Sequence, residues 1–360
     1  MLAIESCRTA VLGGHVQECG DCGYEQKAYN SCHNRHCPKC QHLNTNRWRE
    51  QRLKELLPVH YFHVIFTLPE QLRPLALRNQ KVVYNLLFQA ASDTLLQLGR
   101  QKHHLGAELG FIAVLHTWTR QMLEHPHLHC IVTGGGLSVD GQRWIHSSRD
   151  FLLPARVVAE VFQGKFLEGL RLAYKSNDLK FHGLLKPLRD STAFKNLVSK
   201  LYQLNWNLKI LPSFDQPQHV IDYLASYTNR VAITNDRLIS LDNDQVTFFW
   251  KDSRDGNKKK RMTLHIDEFI RRFLLHILPE GFVKIRYYGI LSNRQRQQKL
   301  QLCRELLNAP PPPELPPLTW QEQYLQMTGI DPTRCRACGQ GQMLYREELL
   351  PTWKRGPPPA

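Results

Sequence analysis

The sequence predicts an α+β protein: a central, mostly antiparallel sheet flanked by helices, with a small zinc module at the N-terminus. Three observations predict it. Cysteines are grouped as knuckles before residue 41, apolar runs of strand length recur between Tyr61 and Thr133, and longer stretches carry apolar residues at helical spacing.

Residues 1–57 are rich in Cys, His, Gly and Asn and hold no long apolar run, so they need something other than a hydrophobic core. From Val59 to Leu68 the segment YFHVIFTL predicts a strand, and after Pro69 the spacing of Leu75, Val82, Val83, Leu86 and Leu87 predicts an amphipathic helix. Phe111–Trp118 and His127–Thr133 give two further strands joined by a short connection. Gly134–Gly136 are expected to break the second of these, and Val139-Asp140-Gly141-Gln142 to form a hairpin turn before Trp144 and Ile145. Helical pattern runs from Pro154 to about Leu204. A short helix over Gln216–Tyr227 is opened by Asp215 and Pro217, and strands follow at Arg230–Leu241 and Gln245–Trp250. Residues 251–307 form a basic region, 308–318 (NAPPPPELPPL) a semi-rigid spacer, and 319–360 an appendage with one Cys-x2-Cys knuckle.

Charge and composition narrow the function. Lys and Arg number 47 against 32 Asp and Glu, a net charge of +15 that favours a polyanionic partner. The window 251–300 alone holds 13 basic and 5 acidic residues, making Lys258, Lys259, Lys260, Arg261, Arg271 and Arg272 the candidate phosphate contacts. No run approaches the roughly 20 apolar residues of a spanning helix, so no membrane is expected as a partner. No export signal precedes the first knuckle, which predicts a cytoplasmic, nucleoid-associated protein of bacterial type. In that compartment ten cysteines point to metal rather than to disulfides.

Cys19-x2-Cys22 and Cys37-x2-Cys40 are fourteen residues apart. Two residues between thiols let one tight turn offer both sulfurs to one ion, and two such turns complete a structural zinc tetrahedron. His15, Cys32, His33 and His36 are spare ligands, so a different foursome or a second ion stays open. The knuckle at Cys335 and Cys338 is equally open: a truncated ribbon, a pair borrowing ligands elsewhere, or two reduced thiols.

The second constellation is His127-Leu128-His129. On a strand the two imidazoles share one face about 7 Å apart and can converge on a cation. His116 on the preceding strand is the candidate third ligand, with Glu124, His125 and Gln121 as rivals. The third is Tyr223-Leu224-Ala225-Ser226-Tyr227, where helical spacing stacks two phenols on one face. With Val220 and Leu224 they also fit a buried stripe. A phenol with a pKa near 10 attacks a phosphodiester at neutral pH only if the phosphate is polarised and held in line, which a cation on the histidines would do. No GxxxxGK[ST] phosphate loop is present.

Taken together, LGGH at Leu12–His15, YNSCHNRHCPKCQ at Tyr29–Gln41, FTLP at Phe66–Pro69, HPHLHCIVTGGGLS at His125–Ser138, YLASYTNRVAI at Tyr223–Ile233 and RYYGILSNR at Arg286–Arg294 resemble a known family. It is the two-tyrosine, rolling-circle insertion-sequence transposases typified by insertion sequence ninety-one, within the His-hydrophobic-His endonuclease superfamily. The resemblance implies an enzyme that nicks and joins single-stranded DNA at mobile-element ends through a 5′-phosphotyrosine. It implies a nuclease domain over 58–250, Tyr223 and Tyr227 as nucleophiles, His127 and His129 as ligands of Mg²⁺ or Mn²⁺, and an N-terminal zinc domain. Tyr287 departs from the pattern, standing where relatives tend to carry histidine. Two rival readings are a non-catalytic zinc-dependent DNA-binding protein and a metallohydrolase whose nucleophile is water.

Overall fold

The computed structural model describes residues 2–214, 218–219, 221–222, 225, 232–252, 255–311 and 318–352. The chain divides into two compact units, the first made of Met1–Gln51, Ala225–Leu238 and Pro313–Ala360, the second of Arg52–Leu224 and Ile239–Pro312. The N-terminal module and the C-terminal appendage, which the sequence presents as separate pieces, are therefore one body. No described helix is long and apolar enough to cross a membrane.

The first unit is built on a three-stranded antiparallel sheet. Strand β1 (Gly14–Cys19) lies between β2 (Glu25–Tyr29) and the C-terminal strand Met343–Leu349, with Gly14 opposite Tyr29 on one side and Leu349 on the other. The helix Trp320–Thr328 starts from a capping box in which Thr319 and Glu322 satisfy each other's backbone N–H. Few apolar side chains are sealed here. Val16, Cys7, Cys19, Cys37 and Cys335 are buried, so thiols take much of the place that aliphatic residues fill in a larger core.

The second unit holds the main core. Its six-stranded sheet contains β3 (Tyr61–Thr67), β4 (Ala107–Trp118), β5 (Glu124–Ser138), β6 (Trp144–His146), β7 (Leu208–Phe214) and β11 (Ile285–Gly289), in the order β11-β4-β5-β3-β7 with β6 on β5. Every neighbouring pair is antiparallel. The fold class predicted from the sequence is thus observed. A second, three-stranded sheet, order β10-β9-β8, comprises β8 (Leu238–Asp242), β9 (Gln245–Asp252) and β10 (Lys258–His265).

Strand alternation gives the large sheet two different faces. Phe62, Val64 and Phe66 of β3, Phe111, Ala113 and Leu115 of β4, and Leu128, Cys130 and Val132 of β5 share one face and pack with helices Gln80–Arg100, Ala155–Lys175 and Ser191–Tyr202. Each sealed Phe there contributes about 1.5–3 kcal/mol. The intervening residues, among them His63, His116, His127 and His129, occupy the opposite face.

Several elements differ from expectation. Gly134–Gly136 do not break β5, which continues to Ser138. The glycines serve close approach instead: a Cβ at Gly134 would lie 2.6 Å from the His60 carbonyl, and one at Gly136 would lie 2.3 Å from that of Glu108. The expected hairpin turn then joins β5 to β6, with Asp140 accepting from the Gln142 N–H at 3.1 Å. The long helical stretch after Pro154 is two helices: the first ends at Lys175, just ahead of Asn177 in the left-handed region (φ +58°), and after a 3-10 turn at Gly183–Arg189 Asp190 caps the second by accepting from Thr192 and Ala193. Of the strand expected over Arg230–Leu241, residues 230–231 lie outside the described residues, and the described part forms a strand from Leu238, behind a 3-10 turn at Asn235–Arg237. Nor is 251–307 a region apart, since it supplies β10 and the sheet-edge strand β11.

Candidate functional site

Covalent geometry sets the histidine face. His127 and His129 alternate with Leu128 on β5, the β4/β5 register puts His116 directly opposite His127, and β3 contributes His63 on the other side. One ligating nitrogen from each of His116, His127 and His129 lies within 4.8 Å of the others. The rivals Glu124, His125 and Gln121 are not part of this set. All three histidines are buried, as is His63.

Their neighbours fix the rings. His127 Nδ1 donates to the His125 carbonyl at 2.5 Å, which leaves the Nε2 lone pair to face inward. That Nε2 is 3.1 Å from His116 Nδ1, a separation that two nitrogens adopt around one ion at about 2.1 Å from each. His63 Nε2 is 2.8 Å from His129 Nδ1, and the two rings stack at 5.0 Å, so His129 is left with Nε2 toward its partners. His63 is a positioning residue that sequence reasoning missed. Only the pairing of β3 with β5, strands 66 positions apart, brings it to the site.

Burial sets the charge state. Desolvation, reinforced by neighbouring imidazoles, lowers His127 to about 3 and holds His116 and His129 well below the ordinary histidine range. Burial lowers His63 to about 4. The cluster is neutral at pH 7, the state a metal ligand requires.

The cysteines are grouped otherwise than the spacing suggests. Cys19 and Cys22 do not join Cys37 and Cys40. Instead Cys7, Cys32, Cys37 and Cys40 form one foursome and Cys19, Cys22, Cys335 and Cys338 another, each with its sulfurs within 4.8 Å of one another. The physical reason is the sheet: β1 ends at Cys19 opposite Met343, which brings the last knuckle beside the first. Sulfurs on a tetrahedron around zinc at 2.3 Å lie about 3.8 Å apart. The spacings fit, at 3.8 Å for Cys19–Cys338, 3.7 Å for Cys22–Cys335 and 3.9 Å for Cys32–Cys40. The backbone N–H groups of Gln340 and Gly341 lower the Cys338 thiol to about 6.

Residues 110–299, more than half of the chain, match the family model described as "Putative transposase", and residues 1–68 match the "Transposase zinc-binding domain". The chain belongs to this transposase family, typified by insertion sequence ninety-one. It is 49% identical over 350 residues to "Putative transposase y4qJ" of Sinorhizobium fredii (strain NBRC 101917 / NGR234), covering 96% of this chain and 88% of that protein. It is 27% identical over 355 residues to "Transposase for insertion sequence element IS801" of Pseudomonas savastanoi pv. phaseolicola, covering 94% and 81%. No solved structure matches. Membership makes the chain a DNA-cleaving and strand-transferring enzyme with a zinc-binding domain.

The transposase's two candidate nucleophiles, Tyr223 and Tyr227, lie outside the described residues, and so does their distance from the histidines. The described positions of their stretch, 218–219, 221–222 and 225, are helical, with Ile221 and Ala225 buried.

The six basic candidates of the transposase separate into three groups. Arg271 and Arg272 both pair with Glu268, at 2.6 and 2.7 Å, as their spacing of three and four residues on one helix dictates. Lys258 pairs with Asp255 at 2.9 Å and Lys260 with Asp252 at 2.8 Å. Lys259 and Arg261 lie on the other face of β10. There the Lys259 ammonium is 3.7 Å, and the Arg261 guanidinium 5.8 Å, from the centre of the Phe249 ring on β9. Arg52 is buried, pairs with Glu55 and hydrogen-bonds Tyr287.

Proposed function

We propose that this transposase nicks and rejoins single-stranded DNA at the ends of a mobile element, in rolling-circle fashion, through a 5′-phosphotyrosine formed by Tyr223 or Tyr227. The buried, neutral set of His116, His127 and His129 carries this reading. Its three imidazoles fit a divalent cation, Mg²⁺ or Mn²⁺, and on ligand softness favour Mn²⁺. When bound, such an ion supplies charge neutralisation at the scissile phosphate and at the leaving oxygen.

The chain's own residues supply the rest. The His125 carbonyl fixes the tautomer of His127, and His63 holds the ring of His129 in place. A tyrosine oxygen then bonds to phosphorus as the bond from phosphorus to the 3′ oxygen breaks. The phenol proton goes to solvent and the 3′ oxygen takes one up. One phosphodiester is exchanged for another, so rejoining consumes no nucleotide. The face of β9 and β10 that carries Phe249, Lys259 and Arg261 suits a single strand, with an aromatic ring for an unpaired base and cations for phosphates.

The test is covalent trapping. A labelled single-stranded element end incubated with the full chain and Mn²⁺ or Mg²⁺ is expected to give a denaturant-resistant protein–DNA adduct. Tyr223→Phe/Tyr227→Phe should abolish it, and His127→Ala should lower its rate by at least about 10²-fold, the scale of losing one electrostatic stabiliser. Cleavage without adduct, with both tyrosines dispensable, would make water the nucleophile. Binding without cleavage under either ion would leave a zinc-dependent DNA-binding protein.

A further inference from the structure

We infer that Cys19, Cys22, Cys335 and Cys338 bind a second structural zinc ion, distinct from one held by Cys7, Cys32, Cys37 and Cys40, and that this ion clamps the C-terminal segment onto the N-terminal module. The matched zinc-binding domain covers residues 1–68 and the matched transposase domain 110–299, so Cys335 and Cys338 belong to neither.

Four features carry the assignment. The sulfurs stand at the edge lengths of a zinc tetrahedron. The two knuckles are copies of one turn: Cys19-Gly20-Asp21-Cys22-Gly23 and Cys335-Arg336-Ala337-Cys338-Gly339 each close with a glycine in the left-handed region, φ +70° and +71°. In each, the N–H of that glycine donates to the carbonyl of the first cysteine, at 3.1 and 2.9 Å. In the second knuckle the N–H groups of Ala337 and Gly341 also point at the sulfurs of Cys335 and Cys338, both at 3.3 Å, which is how a backbone stabilises thiolates. The approach is close enough that a Cβ on Gly341 would lie 2.3 Å from Cys19 Sγ.

Zinc content and thiol reactivity test this together. The full chain purified under reducing conditions is expected to carry two zinc ions. Cys335→Ser/Cys338→Ser and Cys37→Ser/Cys40→Ser should each carry one. A variant that fails to fold leaves the second measurement decisive, because that one uses the unaltered chain. Cys22 and Cys338 are the two exposed cysteines, and a free thiol there would alkylate rapidly. In the zinc-loaded chain both should resist alkylation, then react once a strong chelator is added. One zinc per chain, or free-thiol alkylation rates at Cys22 and Cys338 in the loaded protein, would overturn the inference. So would an intact mass showing those cysteines joined in disulfides.

Discussion

The histidine centre and the cysteine centres are both clusters of metal-ligating side chains, but they stand on opposite sorts of foundation. The histidines project from β4 and β5, strands whose other face is sealed by Phe66, Phe111, Leu128 and the helices packed on them. That sheet has its own reason to fold. The cysteines sit at the ends of short strands and in loops where few aliphatic side chains are buried, so the ion they bind does the work of a core. The contrast teaches that one class of ligand geometry can serve two ends. On the proposed reading, where apolar packing already fixes the ligands a cation would be available for chemistry, and where it does not a cation would hold the backbone.

The sharpest way to break this contrast is to remove the metal. A strong chelator should unfold the first unit, since structural zinc contributes about 10–16 kcal/mol of folding free energy in small modules. Hydrogen exchange should show lost protection over β1, β2 and Met343–Leu349, with β3, β4 and β5 unchanged. Equal loss in both sheets would mean that the histidine sheet also depends on an ion.

A smaller effect concerns His63. His63→Ala keeps all three ligating nitrogens but removes the ring that orients His129, so Mn²⁺ affinity should fall by about 10–100-fold. Calorimetric titration would read it, and the zinc content should stay the same. An unchanged Mn²⁺ affinity would demote His63 to a packing residue.

The last effect is a pH dependence. In the unfolded chain histidines titrate near 6.5, whereas burial lowers His127 to about 3 in the folded one. The unfolded state therefore binds more protons below pH 6.5. The contribution is fully present above that pH and drains away as the pH falls toward 3, by about 1.4 kcal/mol per pH unit for each such histidine. Exchange protection of β4 and β5 in metal-free protein should weaken along that window, and a bound divalent ion should delay the loss. Flat protection from pH 7 to pH 4 would contradict burial of the neutral cluster.

What could be read from the sequence follows from what is local. A strand repeats every two residues, so the shared face of His127 and His129 was legible, and a short connection between strands made His116 their neighbour. Pairs of cysteines two residues apart were legible for the same reason. Which pair joins which was not, because only the pairing of β1 with Met343–Leu349 decides it. His63 was hidden likewise by strand order. Gly134–Gly136 misled in another way: glycine marks turns and tight backbone contacts alike, and here the tight contacts prevail. That Glu268 holds both Arg271 and Arg272 is likewise something a count of charges does not reveal.

The order of synthesis gives β1 a long wait. One of its two neighbours, Met343–Leu349, is made more than 300 residues after it. At 5–20 residues per second that delay is roughly 15–60 s. During translation β1 thus keeps an open edge with two half-liganded thiols, and a chain that stops early never closes it.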